Sequence, residues 1–256
     1  MASIIDTHAH YTDEAFDPDR EALLAAMPDK NVSRIVTAAS GLTSSAAAVE
    51  LAHKFPFVYA AVGVHPGELD DTAADMEAQL AAWYADEKVV AIGELGLDYH
   101  YEDGFSRETQ FAWLERQLRL AKELDAPIIF HDRDAHADTL EILKKYRPKG
   151  VVHCFSGSVE MAQEIVELGL FIGLGGAVTF KGAKRPLSVA ASVPAERLVL
   201  ETDCPYMAPV PHRGHRNDSS LIPHIAEVIA GVRGITADEL LALTAENAYR
   251  LFPKMK

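Results

Sequence analysis

The chain has 256 residues, a hydrophobic content of 48% and a formal net charge of −14 at pH 7. This length can bury a substantial core, and the excess of acidic side chains argues against broad electrostatic binding to nucleic acid. The two cysteines, Cys154 and Cys204, exclude a disulfide framework and a Cys-x-x-Cys metal or redox motif. We find no leader-like N-terminus and no apolar run near the roughly 20 residues that span a bilayer, so we expect a cytoplasmic protein.

Short apolar runs alternate with stretches of helical pattern. The predicted strands cover residues 4–8, 34–40, 57–65, 89–96, 127–132, 150–155, 170–176 and 197–203. Each run is almost continuously apolar, which is typical of parallel strands that are covered on both faces. Because a helical region follows each of the eight strands, the pattern predicts a single-domain (β/α)8 barrel over residues 1–256. A doubly wound open sheet is the alternative.

Three helical segments are marked clearly enough to be placed. Apolar residues at helical spacing predict helices over residues 109–124 and 135–145. Further on, the sequence Thr-Ala-Asp-Glu at 236–239 resembles a capping box, with Thr236 as N-cap and Glu239 at the third helical position.

Metal-binding residue types recur near the carboxyl ends of the predicted strands. They are His8 and His10 on strand one, His65 on strand three, Glu94 on strand four, His131 on strand five, His153 on strand six and Asp203 on strand eight. In a barrel these ends converge on one mouth, where active sites of this fold are built. A single buried His or Asp is usually an ordinary hydrogen-bonded core residue, but the joint pattern predicts a metal centre.

The number of candidates indicates more than one ion. A catalytic zinc takes about three protein ligands, so six candidates suit two divalent ions. The six are His8, His10, Glu94, His131, His153 and Asp203. Glu94 is the natural bridge, and Asp203 could also accept the proton of an attacking water. Imidazole and carboxylate ligands suit Zn or Mn, whereas Mg prefers oxygen, so the ions (Zn, Mg or Mn) stay open.

Seven short motifs stand in one order along the chain. They are DTHAH, GVHPGE, IGELGLDYH, FHDRDA, VVHCFSGS, ETDCPY and ENAYRLF. Together they resemble the TatD family of metal-dependent deoxyribonucleases, within the amidohydrolase-like barrels, from residue 6 to about residue 252. The wider superfamily often bridges its metals with a carbamylated lysine, but residues 89–98 contain none, which favours the TatD branch.

The resemblance implies how the ligands divide between two metals. The first metal would be held by His8, His10, Glu94 and Asp203. The second would be held by Glu94, His131 and His153, with Glu94 bridging the pair. It also implies DNA as the partner, in single-stranded form or at short ends, and the sequence indicates no obligate protein partner.

Contacts to a substrate are less sharply indicated. His65 could bind a phosphate or brace the turn at Pro66, and Arg133 could bind a phosphate or pair with a nearby carboxylate. Arg213 is a third candidate, in a basic stretch that departs from the family pattern at His215. The aromatic run at 99–101 could stack on a base or simply pack.

We therefore predict a divalent-metal-dependent hydrolase, most consistent with a deoxyribonuclease that cleaves phosphodiester bonds with water activated by two metals. Asp203 and Glu94 are the predicted catalytic residues, and His65, Arg133 and Arg213 the predicted substrate contacts. The alternative is a barrel amidohydrolase that acts on an ester, lactone, amide or aminoacyl ester, because barrel architecture alone cannot separate these reactions.

Overall fold

Eight parallel strands form one sheet in chain order in the computed structural model, which describes residues 3–70 and 73–256. The strands are β1 (Ile4–Ala9), β2 (Val32–Ala38), β3 (Val58–Val62), β4 (Val89–Asp98), β5 (Ile128–Arg133), β6 (Gly150–Val152), β7 (Phe171–Leu174) and β8 (Leu198–Leu200). The predicted (β/α)8 barrel is confirmed. The core lies inside the strand ring and between the ring and its helices.

Helices cover the outside of the strands. They are α1 (Arg20–Ala25), α2 (Leu42–Lys54), α3 (Met76–Tyr84), α4 (Arg107–Glu123), α5 (His136–Tyr146), α6 (Val159–Glu167), α7 (Lys184–Ser192), α8 (Ile222–Arg233) and α9 (Ala237–Leu251). The predicted capping box is present at the start of α9, where the Thr236 and Glu239 side chains each accept from the other residue's backbone N–H. Among the described residues, no helix is both long and apolar enough to cross a membrane.

Helix α4 carries its predicted apolar stripe and two buried amides that the pattern did not indicate. Gln110 bonds both backbone groups of Asp98, accepting from its N–H at 2.9 Å and donating to its carbonyl at 2.7 Å. Gln117 does the same to Val64, at 2.9 Å in each direction. The helix thereby fixes the chain at the carboxyl end of β4 and just before His65, at the mouth of the barrel.

Strands β3, β6, β7 and β8 are shorter than predicted. The ladder between β7 and β8 ends at the pair Leu174–Leu200, and β6 ends at Val152. His153 and Asp203 therefore lie in the loops that follow their strands. After Leu200 the chain leaves β7 and bonds to β1 instead: the Asp203 N–H donates to the His8 carbonyl at 3.0 Å, and the His10 N–H donates to the Cys204 carbonyl at 2.7 Å.

Asp6 holds this closure between the first and last strands. Its buried carboxylate accepts from the Thr202 N–H at 3.0 Å, the Thr202 hydroxyl at 2.6 Å and the Ser219 hydroxyl at 2.6 Å. Burial opposes ionisation more strongly than these bonds favour it, and the pKa of Asp6 is raised to about 6. Asp6 is thus a structural residue that joins β1 to the loop after β8.

Replacing Asp6 with Ala should lower the free energy of unfolding by about 2–4 kcal/mol, because it leaves several buried donors without an acceptor. Chemical denaturation at neutral pH measures this change. Asp29→Ala, at an exposed position, is the matched control and should change stability by no more than about 0.5 kcal/mol. A D6A protein as stable as the control would contradict this role for Asp6.

Candidate metal centre

The six residues predicted as ligands converge at the carboxyl mouth of the barrel. His8, Glu94 and His153 are buried, while His10, His131 and Asp203 are partly exposed. The shape of β1 explains part of this arrangement, since alternate residues of a strand point to the same side and place His8 and His10 together. The bonds between β1 and the loop after β8 then bring Asp203 beside both histidines.

One oxygen of Glu94 belongs to a first group of four side chains. The His8 and His10 Nε2 atoms lie 3.0 Å apart, and each lies 3.4 Å from Glu94 Oε2. Asp203 Oδ1 lies 3.5 Å from His8 Nε2 and 3.2 Å from His10 Nε2. Donor atoms about 2.0–2.2 Å from one zinc ion lie roughly 3.3–3.6 Å apart in a tetrahedron. The distances of 3.2–3.5 Å from the two histidines to the two carboxylates are close to this spacing.

The other oxygen of Glu94 faces a second group. His131 Nδ1 lies 2.8 Å from Glu94 Oε1, and His153 Nε2 lies 2.6 Å from the same oxygen. The two histidine nitrogens are 3.1 Å apart. Glu94 thus presents one carboxylate oxygen to each group.

Hydrogen bonds on the outer nitrogens orient two of these imidazoles. His10 Nδ1 lies 3.1 Å from the Ala38 carbonyl oxygen, and His131 Nε2 lies 3.2 Å from Asp98 Oδ2. The Ala38 carbonyl oxygen and the ionised Asp98 carboxylate can only accept hydrogen bonds. The outer nitrogens, His10 Nδ1 and His131 Nε2, therefore carry the protons. In the neutral imidazoles the lone pairs of His10 Nε2 and His131 Nδ1 then face the cluster, as metal ligation requires.

Asp98 is the residue of this site that the sequence analysis did not single out. It lies four residues after Glu94 on β4, and the alternation of a strand places both on the same side. This spacing of four residues from Glu94 is the signal in the sequence that could have indicated Asp98. Besides orienting His131, Asp98 forms a group with His65 and His131 whose ligand atoms lie close enough together to hold a metal.

The charges of the cluster favour a bound cation. Burial opposes ionisation of Glu94, but His153 and His8 hold its pKa well below the usual range. Burial likewise opposes ionisation of Asp203, and His10 and His8 lower its pKa. Among residues 3–70 and 73–256, no lysine or arginine forms an ion pair with either carboxylate. Imidazole and carboxylate donors without a fixed positive partner fit a divalent metal.

His65 both braces its turn and faces the cluster. Its Nδ1 accepts from the Gly67 N–H at 3.0 Å, which leaves the proton of the neutral imidazole on Nε2. That Nε2 lies 3.8 Å from Glu94 Oε1. Burial, reinforced by His131, lowers the pKa of His65 to about 3, so the ring is neutral and presents an N–H to the site.

The predicted cationic contacts differ in their surroundings. The Arg133 guanidinium donates to the Tyr101 hydroxyl at 3.1 Å, and within the described chain it has no carboxylate partner. Arg213 stacks on the Phe180 ring at 3.7 Å, on the side of the mouth that follows β7. Arg216, which lies with Arg213 in the loop after β8, binds the Asp19 carboxylate through two hydrogen bonds of 2.7 Å.

The three aromatic residues at 99–101, after β4, also differ in their surroundings. The Tyr99 hydroxyl donates to Asp138 at 2.8 Å, and His100 Nδ1 pairs with Asp134 at 2.8 Å. Tyr101, in contrast, is 59% exposed. Tyr101 is therefore the residue of the three whose ring is free of a carboxylate partner and most open to solvent.

Backbone geometry at Gly96 shows how closely β4 and β5 approach at the site. Gly96 has a φ of +154°, and a Cβ at this position would lie 2.0 Å from the His131 carbonyl oxygen. Only glycine fits there, because any side chain would push the His131 backbone away from β4.

A parallel eight-stranded barrel with this cluster at its carboxyl mouth defines a metal-dependent hydrolase of the (β/α)8 class. The family model described as TatD related DNase matches residues 5–253. The chain therefore belongs to the TatD-related DNase family, as its motif order predicts, and is a metal-dependent hydrolase.

Individual relatives extend over nearly the whole chain. The chain is 41% identical to YabD of Bacillus subtilis, an uncharacterized metal-dependent hydrolase, over 97% of this chain and 98% of that protein. It is 36% identical to a protein of Cronobacter sakazakii named 3'-5' ssDNA/RNA exonuclease TatD, over 98% of each. The crystal structure of YjjV, a TatD homologue of Escherichia coli K12, superimposes with a TM-score of 0.91 at 36% identity and covers 98% of both chains.

Removal of divalent metal with a chelator should lower the thermal unfolding midpoint, because an ion that binds only the folded cluster stabilises it. Restoring Zn²⁺ or Mn²⁺ to about 100 times its dissociation constant should return about 2.7 kcal/mol per site. Differential scanning calorimetry with a metal titration measures this effect.

The H8A/D203A protein should show a much smaller shift, whereas H53A/D86A, which removes a surface His–Asp pair, should respond like the unaltered chain. Equal metal stabilisation in all three proteins would place the binding elsewhere.

Proposed function

We propose that this chain is a nuclease that hydrolyses phosphodiester bonds at the ends of single-stranded DNA. The observation that carries this proposal is the division of the Glu94 carboxylate between two groups of imidazole and carboxylate donors. Two sites that share one carboxylate suit an in-line displacement at phosphorus, in which both the attacking and the leaving oxygen need stabilisation.

The distances support a division of ligands between two sites. His8, His10, Glu94 and Asp203 would hold the first ion, and Glu94, His131 and His153 would hold the second. The chain has no lysine on β4 for another kind of bridge. Asp98 acts through His131, since its carboxylate fixes the orientation and protonation of that ring.

Divalent ions bound here supply Lewis-acid activation of water and stabilisation of negative charge on the phosphate. Asp203 accepts the proton of the attacking water: its Oδ1 faces His8 and His10, while Oδ2 has no partner among the described residues. The neutral His65 ring donates a hydrogen bond from its Nε2–H to a phosphate oxygen. Arg133 binds the phosphate backbone, since its guanidinium is held by a tyrosine hydroxyl rather than neutralised by a carboxylate.

The choice of substrate rests on the relatives and on the charges. The named exonuclease relatives act from 3' to 5' on single strands. A net charge of −14 opposes binding along a duplex, so contacts to nucleic acid are confined to the metal centre and the cations beside it. An end of a single strand fits that limited area, and Arg133 favours an anionic substrate over an amide or a lactone.

Replacing Asp203 with Asn should lower kcat for single-stranded DNA by about 10²–10⁴, because the proton acceptor and an anionic ligand of the first site are both lost. Glu94→Gln should lower both the rate and the bound metal. Asp134→Asn is the matched control, since it removes one exposed carboxylate at the end of β5 and should leave the rate within about twofold. Gel assays with an end-labelled oligonucleotide, run beside elemental analysis, measure both quantities. Turnover of lactones or amides without cleavage of DNA would reject the nuclease proposal.

Replacing Arg133 with Met should raise KM for single-stranded DNA about tenfold or more, because a charge-assisted bond to phosphate is lost. The same substitution at Arg119, an exposed residue of α4, should leave KM unchanged. Steady-state kinetics at constant salt measure both variants. An R133M protein with the KM of R119M would exclude Arg133 as a substrate contact.

A further inference from the structure

A groove adjoins the metal centre on the side of β1 and the loop after β8. It has a volume of about 760 Å³, within the range of small-molecule sites. It is lined by Pro205 and Tyr206, by an acidic wall of Asp13, Glu14 and Asp17, and by Ala15, Gly214, His215 and Arg216. None of the six predicted metal ligands and none of the three predicted substrate contacts lines this groove.

Tyr206 is a fixed aromatic surface at the entrance to the groove. The residue is 55% exposed, yet its hydroxyl donates to Asp13 at 2.7 Å, its N–H donates to the Asp203 carbonyl at 3.0 Å and its carbonyl accepts from the Asn217 amide at 2.7 Å. Its ring centroid lies 6.4 Å from that of His10. A rigid, open aromatic ring one side chain away from the metal centre is suited to stack on a base of a bound strand.

The acidic wall shares the groove with one guanidinium, that of Arg216, and the charge of this guanidinium is already paired. Arg216 pairs with Asp19 at 2.7 Å, and Arg20 pairs with Asp17 at 2.5 Å. Asp13 and Glu14 have no basic partner within the described residues. The groove therefore accepts an uncharged group and repels phosphate, unlike the Arg133 side of the mouth.

We propose that this groove is the subsite for the terminal nucleoside of the strand, with its base stacked on Tyr206 and with Asp13 and Glu14 excluding a further phosphate. This inference rests on the proposed nuclease function and adds where the end of the strand lies. The rest of the strand then leaves the metal centre on the side of Arg133 and Tyr101. A strand that ends in a free hydroxyl fits this groove, and one that ends in a phosphate does not.

Equilibrium binding of deoxyadenosine 5'-monophosphate and of inorganic phosphate to the metal-loaded protein tests the stacking contact. Tyr206→Ala should weaken nucleotide binding about 5- to 150-fold, the range that corresponds to roughly 1–3 kcal/mol for one stacked base. Tyr206→Phe keeps the ring and should bind nearly as well as the unaltered protein. Tyr146→Ala, at a partly exposed tyrosine that ends α5 just before the amino end of β6, should leave nucleotide binding unchanged, and no variant should alter phosphate binding.

Unchanged nucleotide binding by Y206A would overturn the stacking contact, and so would an equal loss of phosphate binding. Because this measurement needs no hydrolysis, it separates the two proposals. A protein that binds the nucleotide through Tyr206 but cleaves no DNA contradicts the nuclease function. A protein that cleaves DNA with nucleotide binding independent of Tyr206 contradicts only the groove assignment.

The acidic wall is tested with deoxyadenosine 3',5'-bisphosphate. The unaltered protein should bind it about fivefold or more weakly than the 5'-monophosphate, because the added phosphate meets two carboxylates. The D13N/E14Q protein should show a smaller difference in affinity between the two nucleotides, because both negative charges are removed. Its local structure should be kept, since asparagine can still cap residues 14–16 and accept the hydrogen bond from Tyr206. The E102Q/D103N protein loses the same amount of charge at exposed positions after β4. It should show the same difference in affinity between the two nucleotides as the unaltered protein. Equal binding of the two nucleotides by the unaltered protein would overturn the exclusion of phosphate.

Discussion

The buried carboxylate of Asp6 is the contact on which the geometry of the mouth depends. A parallel ladder joins each strand to the next from β1 to β8, and the last junction is completed by side-chain and loop bonds. Asp6 binds Thr202 and Ser219, and the adjoining backbone bonds bring His8 and His10 to Asp203. Three of the six candidate metal ligands therefore lie together only because the first and last strands are held together at this end.

The chemistry of the site depends on Glu94 in the way that its geometry depends on Asp6. It is almost fully buried, and the free energy needed to bury its charge is offset by the surrounding imidazoles and, when present, by cations. Hydrogen bonds from residues outside the cluster hold this geometry in place. Asp98 orients His131, Gln110 holds the backbone of Asp98, and Gln117 holds the chain before His65. The polar groups of α4 thus stabilise the barrel and position the site at once.

Charge is distributed unevenly around the mouth, and this reconciles an acidic protein with a nucleic-acid substrate. Arg133 lies on one side with an uncompensated guanidinium, while Asp13 and Glu14 lie on the other without basic partners. Local fields of this kind act over about one Debye length, roughly 8–10 Å, so the net charge matters less than the few groups that face a nucleic-acid substrate.

The sequence by itself determined the barrel, the cluster and the family, because apolar periodicity and the positions of His, Glu and Asp at strand ends are local patterns. It did not determine the role of Asp6, since a carboxylate at this position on β1 is equally compatible with orienting a metal ligand and with packing. Nor did it indicate Gln110, Gln117 or Tyr206, whose partners lie at unrelated positions along the chain. Only the tertiary structure decided these, because hydrogen bonds between distant segments depend on how the barrel closes and not on the spacing of residues within one segment.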